Sequence, residues 1–166
     1  MQYTREIFFM AELKLAEPKT DGYFEDFEVG GTLITKGRTI TETDLVEFAA
    51  LTWDNYSLHT DAEWAKSTIF GERIAHGMLA LSYSIGLRVS GGTIGKIIAL
   101  YGIDKLRFTT PVKIGDTIHV ETTVLEMEDK GKKGGLITDH MMIKNQRGEI
   151  VVDAITKGLY AKRPVK

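Results

Sequence analysis

The chain has 166 residues, of which 43% are hydrophobic, and it fits one globular domain with a real core. Its formal net charge of −2, without a basic stripe, argues against nucleic acid as a partner. Cysteine is absent, which excludes disulfides and thiolate nucleophiles, and no apolar run approaches the roughly 20 residues of a membrane span, so we expect a cytoplasmic protein without a membrane partner.

The amino-terminal part is polar and irregular, apart from one short apolar cluster. We predict an extension or arm over residues 1–22, with an added strand or a partner contact as the alternative, and one domain over residues 23–166. Residues 32–40 alternate between apolar and polar side chains and are rich in β-branched residues, so this segment predicts the first strand.

Two patterns typical of helix starts follow. Thr41 and Thr60 each stand three residues before an acidic side chain, as in a capping box. The apolar spacing after them predicts short helices over residues 42–51 and 61–67. Residues 52–59, between the two helices, have little periodicity and predict a loop.

Residues 77–90 are apolar or small on almost every side, which predicts a helix buried all round. After this helix, apolar and polar side chains alternate with a period of two residues. This pattern predicts four long strands, joined as an antiparallel meander, over residues 96–108, 116–128, 136–145 and 149–161. The natural way to bury the helix is to wrap the curved antiparallel sheet around it. The sequence therefore predicts a single α+β domain of the hot-dog type, with one buried central helix.

The loop and the start of the central helix concentrate the reactive side chains. Asp54 and His59 form an acid/base pair, and a histidine with a pKa near ~6.5 suits proton exchange at neutral pH. An irregular loop can bring both side chains onto one water, although the simpler alternative is that Asp54 caps a turn and His59 binds backbone. Gly77 opens the helix, whose free N–H groups can face a developing negative charge.

Neighbouring side chains have supporting roles in this interpretation. We expect His76 to tie the loop to the core rather than to react, and we name Tyr56 and Ser82 as further candidates to support the pair. The spacing of Asp54, His59 and His76 matches no common zinc pattern, so we predict no metal.

The run Trp53-Asp-Asn-Tyr-Ser-Leu-His59, followed by His76-Gly77, resembles the MaoC-like dehydratases, including the R-specific enoyl-CoA hydratases. The segment Phe108-Thr-Thr-Pro-Val-Lys-Ile-Gly-Asp116 is also similar to that family, and the resemblance covers roughly residues 23–161. The chain differs from the family at Trp53, which replaces a glycine, at Tyr56-Ser57, which replace Asn-Pro, and at Ile85, which replaces a supporting serine. These differences bear on the substrate more than on the reaction type.

The resemblance implies a hydratase or dehydratase that adds water to, or removes it from, a 2-enoyl-CoA-type thioester. Asp54 and His59 would be catalytic, and Gly77 would supply the backbone donor for the thioester oxygen. It also implies a homodimer or higher homo-oligomer and no cofactor, with the coenzyme A thioester as substrate. The alternatives are a hot-dog acyl-CoA thioesterase, disfavoured because residues 77–90 contain no acid, and a non-catalytic acyl-CoA-binding or regulatory protein.

Overall fold

The computed structural model describes residues 22–165. The predicted arm therefore lies outside the described residues except for Gly22, whose carbonyl accepts a hydrogen bond from the N–H of Lys96. The helices are α1 (Glu42–Thr52), α2 (Ser57–Thr60), α3 (Ala62–Lys66) and α4 (Gly77–Ser90). The strands are β1 (Thr32–Ile34), β2 (Arg38–Thr39), β3 (Ile97–Phe108), β4 (Thr117–Asp129), β5 (Gly135–Lys144) and β6 (Ile150–Tyr160). Between residues 22 and 165, no helix has the length and apolar character to cross a membrane.

The strands form one antiparallel sheet in the order β1-β4-β5-β6-β3, and β2 also pairs with β4. The predicted meander is confirmed for β4, β5 and β6 but is wrong for β3, which pairs with β6. Short turns force β4 to lie beside β5 and β5 beside β6. The longer link over residues 109–116 imposes no such pairing, so β3 lies at the far edge of the sheet.

The predicted strand over residues 32–40 is interrupted in the structure. It divides into β1 and β2 because Thr35 competes with the backbone: its hydroxyl accepts the N–H of Val120 at 3.0 Å and donates to the carbonyl of Lys36 at 2.9 Å. The strand therefore bends here, and only its two ends pair regularly with β4.

The helix starts are partly as predicted. Thr41 and Asp44 form the expected capping box of α1. At α3 the cap is Asp61 rather than Thr60, since the Asp61 carboxylate accepts the N–H groups of Glu63 and Trp64. The hydroxyl of Thr60 instead donates to carbonyls of the preceding turn. That turn is α2, a single helical turn in the segment predicted to be a loop.

Helix α4 lies against the inner face of the sheet, as predicted, but it is not buried on all sides. Leu79, Ala80 and Ser84 are buried, whereas Met78 and Val89 on the opposite face are 52% and 57% exposed. One chain supplies one sheet, which can cover only one face of a helix. Within residues 22–165, nothing covers the apolar residues on the other face.

A buried carboxylate fixes α1 to α4. Asp44 accepts hydrogen bonds from the Tyr83 hydroxyl at 2.6 Å, from Arg38 at 2.6 Å, and from the backbone and hydroxyl of Thr41. Burial alone would raise the pKa of Asp44, but these donors together hold it at about 2. The charged form of Asp44 therefore stabilises the junction that leads into the reactive loop.

The contribution of this carboxylate to stability should depend on pH, and its replacement should remove that dependence. The folded-state pKa of Asp44 lies below its usual value of 3.8, so its contribution is present above that value and is lost as the pH falls toward about 2. We expect Asp44→Asn to reduce the free energy of unfolding by about 2 kcal/mol at pH 7, and the difference from wild type to shrink below about pH 4. Urea denaturation across this range, with the exposed Glu47→Gln as a control, measures both effects; a difference independent of pH would contradict the assignment.

Candidate active site

The segment that carries Asp54 is shaped by the end of α1. Trp53 caps α1 in the left-handed conformation, with φ of 64°. This conformation costs a residue other than glycine roughly 1–2 kcal/mol. It turns the chain so that the N–H of Asp54 bonds to the Thr52 hydroxyl, and an Asp54 carboxylate oxygen accepts the N–H of Tyr56 at 3.4 Å. The carboxylate is thereby placed at an exposed turn directly before α2.

His59 lies on α2, and a backbone carbonyl fixes its ring. Its Nδ1 lies 2.7 Å from the carbonyl oxygen of Ile74. Since a carbonyl can only accept, Nδ1 carries the proton, and Nε2 of the neutral ring keeps its lone pair. The orientation of His59 thus comes from the backbone before α4, the contact that the simpler alternative from the sequence named for His59.

His76 joins the loop to the start of α4. Its Nε2 donates to the backbone carbonyl of Asp54 at 2.9 Å, and its ring stacks on that of His59 with centroids 3.8 Å apart. Its other face lies against Phe48, at 5.1 Å between centroids. Burial lowers the pKa of His76 and the nearby His59 lowers it further, while the bond to Asp54 raises it. The lowered pKa favours the neutral form of His76, and its hydrogen bond to the Asp54 carbonyl ties the loop to the start of α4.

The three side chains converge on one small volume. Asp54, His59 and His76 each place one potential ligand atom within 4.8 Å of the others. A water about 2.8 Å from two such atoms can bridge that separation. Both rings are oriented by backbone carbonyls, His59 by that of Ile74 and His76 by that of Asp54, and each neutral ring keeps one nitrogen lone pair.

A cavity of about 480 Å³ opens beside this cluster. His59, His76 and Gly77 line one side of it, and the remaining walls are almost entirely apolar. These walls comprise Phe70, Ile74, Ala75, Met78, Ala80, Phe108, Pro111, Val112, Val151 and Val152, with Thr109 and Thr110. As the first residue of α4, Gly77 has an N–H without an acceptor inside the helix. The cavity therefore combines an apolar interior, a proton-accepting ring and a backbone donor.

Tyr56 and Ser82, the other side chains that the sequence suggested as support for the pair, lie in different places relative to the cluster. Tyr56 lies edge-on to His59, at 6.3 Å between ring centroids, and also contacts Trp64 at 5.4 Å, so it packs around the loop. The structure does not bring Ser82 to the cluster, because its hydroxyl bonds to the carbonyl of Met78 on the exposed face of α4. Sequence reasoning missed the carbonyl of Ile74, since a backbone atom leaves no signature in residue types.

Fold and site together define a hot-dog protein with an Asp/His pair beside the amino terminus of its helix. Residues 26–145 match the family model described as MaoC like domain. The chain belongs to the MaoC-like dehydratase family.

Three relatives illustrate the range of the family. The chain is 46% identical over 101 residues to protein MaoC of Klebsiella aerogenes, a stretch that covers 61% of this chain but only 30% of that protein. It is 38% identical over 105 residues to the (R)-specific enoyl-CoA hydratase of Rhodospirillum rubrum, covering 61% and 69% of the two chains. It is also 38% identical over 117 residues to the 3-hydroxybutyryl-CoA dehydratase of Methylorubrum extorquens, covering 69% and 71%.

Solved structures agree with the fold. The monoamine oxidase regulatory protein from Archaeoglobus superposes with a TM-score of 0.78 at 44% identity, covering 86% of this chain and 95% of that one. A protein of Mycobacterium tuberculosis described as a double hot-dog fold has a TM-score of 0.75 at 20% identity, covering 87% and 45%. The second likeness concerns the fold alone, and it supports the predicted hot-dog architecture.

Proposed function

We propose that this protein is a hydratase or dehydratase that adds water to a 2-enoyl-CoA-type thioester or removes it from the 3-hydroxyacyl product. One observation carries the proposal: Asp54 and His59 place acceptor atoms within 4.8 Å of each other, and His59 lines an apolar cavity that Gly77 also lines. The names of the relatives from Rhodospirillum and Methylorubrum describe the two directions of such a reaction.

The pair would act on one water. The free Nε2 of His59 and the Asp54 carboxylate are both acceptors, so a water between them has its oxygen lone pairs free for attack. The oxygen adds to C3 of the alkene, and the water proton passes to His59. His59 lines the cavity and then delivers a proton to C2 on the same face. The product carries the elements of one water, and dehydration follows the reverse path.

Gly77 would hold the thioester oxygen. Attack at C3 moves negative charge onto that oxygen, and the N–H groups at the start of α4 carry a partial positive charge. One such donor contributes about 3 kcal/mol to the transition state in other enzymes. This chemistry uses proton transfers and a backbone donor, so the proposed reaction draws on no cofactor.

The cavity indicates which acyl groups fit. Among the described residues that line it, none is a lysine or an arginine, and an unpaired carboxylate in an apolar site is costly. Linear or branched hydrocarbon chains are therefore favoured over dicarboxylic acyl groups. Hydration rates on a panel of linear and branched 2-enoyl-CoAs would distinguish between these two kinds of chain.

An open surface supports a homodimer. Among the described strands, β3 is an edge strand with β6 on one side only, and its Ile98, Leu100 and Tyr101 are exposed. Met78 and Val89 on the open face of α4 are exposed as well. A long apolar edge is normally covered. We propose that a second copy covers it and extends the sheet through β3.

One preparation of the purified protein tests both the proposed hydration and the proposed homodimer. The purified protein should hydrate short, branched and medium 2-enoyl-CoAs, measured by loss of absorbance of the conjugated thioester, without releasing free thiol. Thiol release without hydration would indicate a thioesterase, and neither activity would favour a binding protein. Light scattering at micromolar concentration should give twice the chain mass, whereas a monomer would contradict the β3 interface.

A further inference from the structure

The first residue of α4 lies beneath an aromatic ring. A Cβ placed on Gly77 would lie 2.9 Å from Cδ1 and 2.9 Å from Cε1 of Phe108, and 3.2 Å from its Cγ. Real Cβ atoms rarely approach other atoms so closely. Phe108 ends β3, pairs with Val152 of β6 and lines the same cavity. One side of its ring therefore rests directly on the Gly77 backbone.

Backbone geometry does not explain why residue 77 is glycine. Gly77 has no positive φ and begins a regular helix, where alanine would be favoured by up to about 1 kcal/mol. Gly86, further along the same helix, has nothing within 4 Å of an added Cβ. The space around an added Cβ therefore differs between the two glycines of α4, and at Gly77 the ring of Phe108 occupies it.

We infer that Phe108 positions the thioester in the proposed reaction, and that residue 77 is glycine because this ring must lie against it. The ring forms the cavity wall beside the free N–H of Gly77, so a thioester oxygen reaches that donor along the ring. This inference rests on the proposed function and adds to it a residue that sets how the substrate approaches.

The surroundings of Phe108 determine what a substitution would do. The ring is 49% exposed, so it can swing outward when a methyl group is added at residue 77. Gly77→Ala should therefore fold, but with the cavity wall displaced. A misplacement of about 1 Å can cost around a hundredfold in rate. The loss would come from the moved ring and not from the loss of the N–H donor, which alanine retains.

A double-mutant cycle separates an effect through the displaced Phe108 ring from an effect at residue 77 itself. We expect Gly77→Ala to lower kcat/KM about a hundredfold and Phe108→Ala to lower it about tenfold. In the Phe108→Ala background, adding Gly77→Ala should change kcat/KM less than about threefold, because the clash is gone. Gly86→Ala is the matched glycine control, because an added Cβ there meets nothing within 4 Å. Light scattering checks that each variant keeps its oligomeric state.

Equal effects of Gly77→Ala in both backgrounds would overturn the inference, since the methyl group would then act without Phe108. Thermal unfolding provides a readout independent of activity: Gly77→Ala should lower Tm in the wild type but not when Phe108 is alanine. Coupling in Tm together with a wild type inactive on every thioester would refute the proposed function while leaving the Gly77–Phe108 contact intact. Additive changes in Tm would refute the contact itself.

Discussion

Replacing His59 with alanine should lower kcat for hydration of a short 2-enoyl-CoA about a thousandfold, within the range that general acid–base catalysis contributes. The ring is fixed by the carbonyl of Ile74, so its loss removes a base that is already oriented. Asp54→Asn should have an effect of similar size, because the neutral amide polarises the shared water poorly. Both substitutions act mainly on kcat, since neither side chain binds the acyl chain.

The fold should survive both changes. In the Asp54→Asn variant, the amide oxygen of the new side chain can still accept the N–H of Tyr56, and the backbone N–H at that position still bonds to Thr52. His119→Ala and Asp129→Asn, on the outer face and at the end of β4, are matched controls that should retain activity. Wild-type rates in either active-site variant, with unchanged circular dichroism, would exclude that residue from the chemistry.

Replacing Arg88 should have the largest effect on stability. Arg88 on α4 and Asp139 on β5 are each 4% exposed, and Arg88 Nη2 lies 3.2 Å from a carboxylate oxygen of Asp139. Burial raises the pKa of Asp139 even with this cation beside it. Arg88→Met leaves a buried carboxylate without its partner, which typically costs about 3–5 kcal/mol.

The double replacement Arg88→Met/Asp139→Leu should recover most of that loss, because well-packed apolar residues can replace a buried ion pair at little cost. The single variant should also lose stability as the pH rises. Its unpartnered Asp139 has a folded-state pKa above the unfolded value, so the favourable protonated form is lost at higher pH. Urea denaturation at several pH values measures both effects, with Lys66→Met of the exposed Lys66–Glu63 pair as the control. Equal losses in the single and double variants would contradict the role of the pair.

Local rules were sufficient for the parts of the fold that depend on neighbours in sequence. The capping box of Thr41 and Asp44 located α1, and the small and apolar run starting at Gly77 located α4. Local rules failed where distant groups compete. The pairing of β3 with β6 depends on a long link, and the break at Thr35 depends on its hydroxyl bonding to Val120 across the sheet.

The candidate site shows the same division. Spacing and residue type were enough to name Asp54, His59 and Gly77; His59 and Gly77 line one cavity, and Asp54 lies within 4.8 Å of His59. The carbonyl of Ile74 could not be named, because it is a backbone atom. Phe108 was named only within the segment similar to the family, and its approach to Gly77 joins residues distant in sequence. Ser82 was chosen from its place along α4, but helix rotation puts it on the exposed face.

The most direct test of the central claim, that one water held between Asp54 and His59 adds to the alkene, is the stereochemistry of hydration in deuterium oxide. The wild-type protein should convert a trans-2-enoyl-CoA to a 3-hydroxyacyl-CoA with one deuterium at C2, delivered to the same face as the C3 oxygen, and NMR of the product should show a single diastereomer. Addition to opposite faces, a mixture of diastereomers or no hydration would contradict the account.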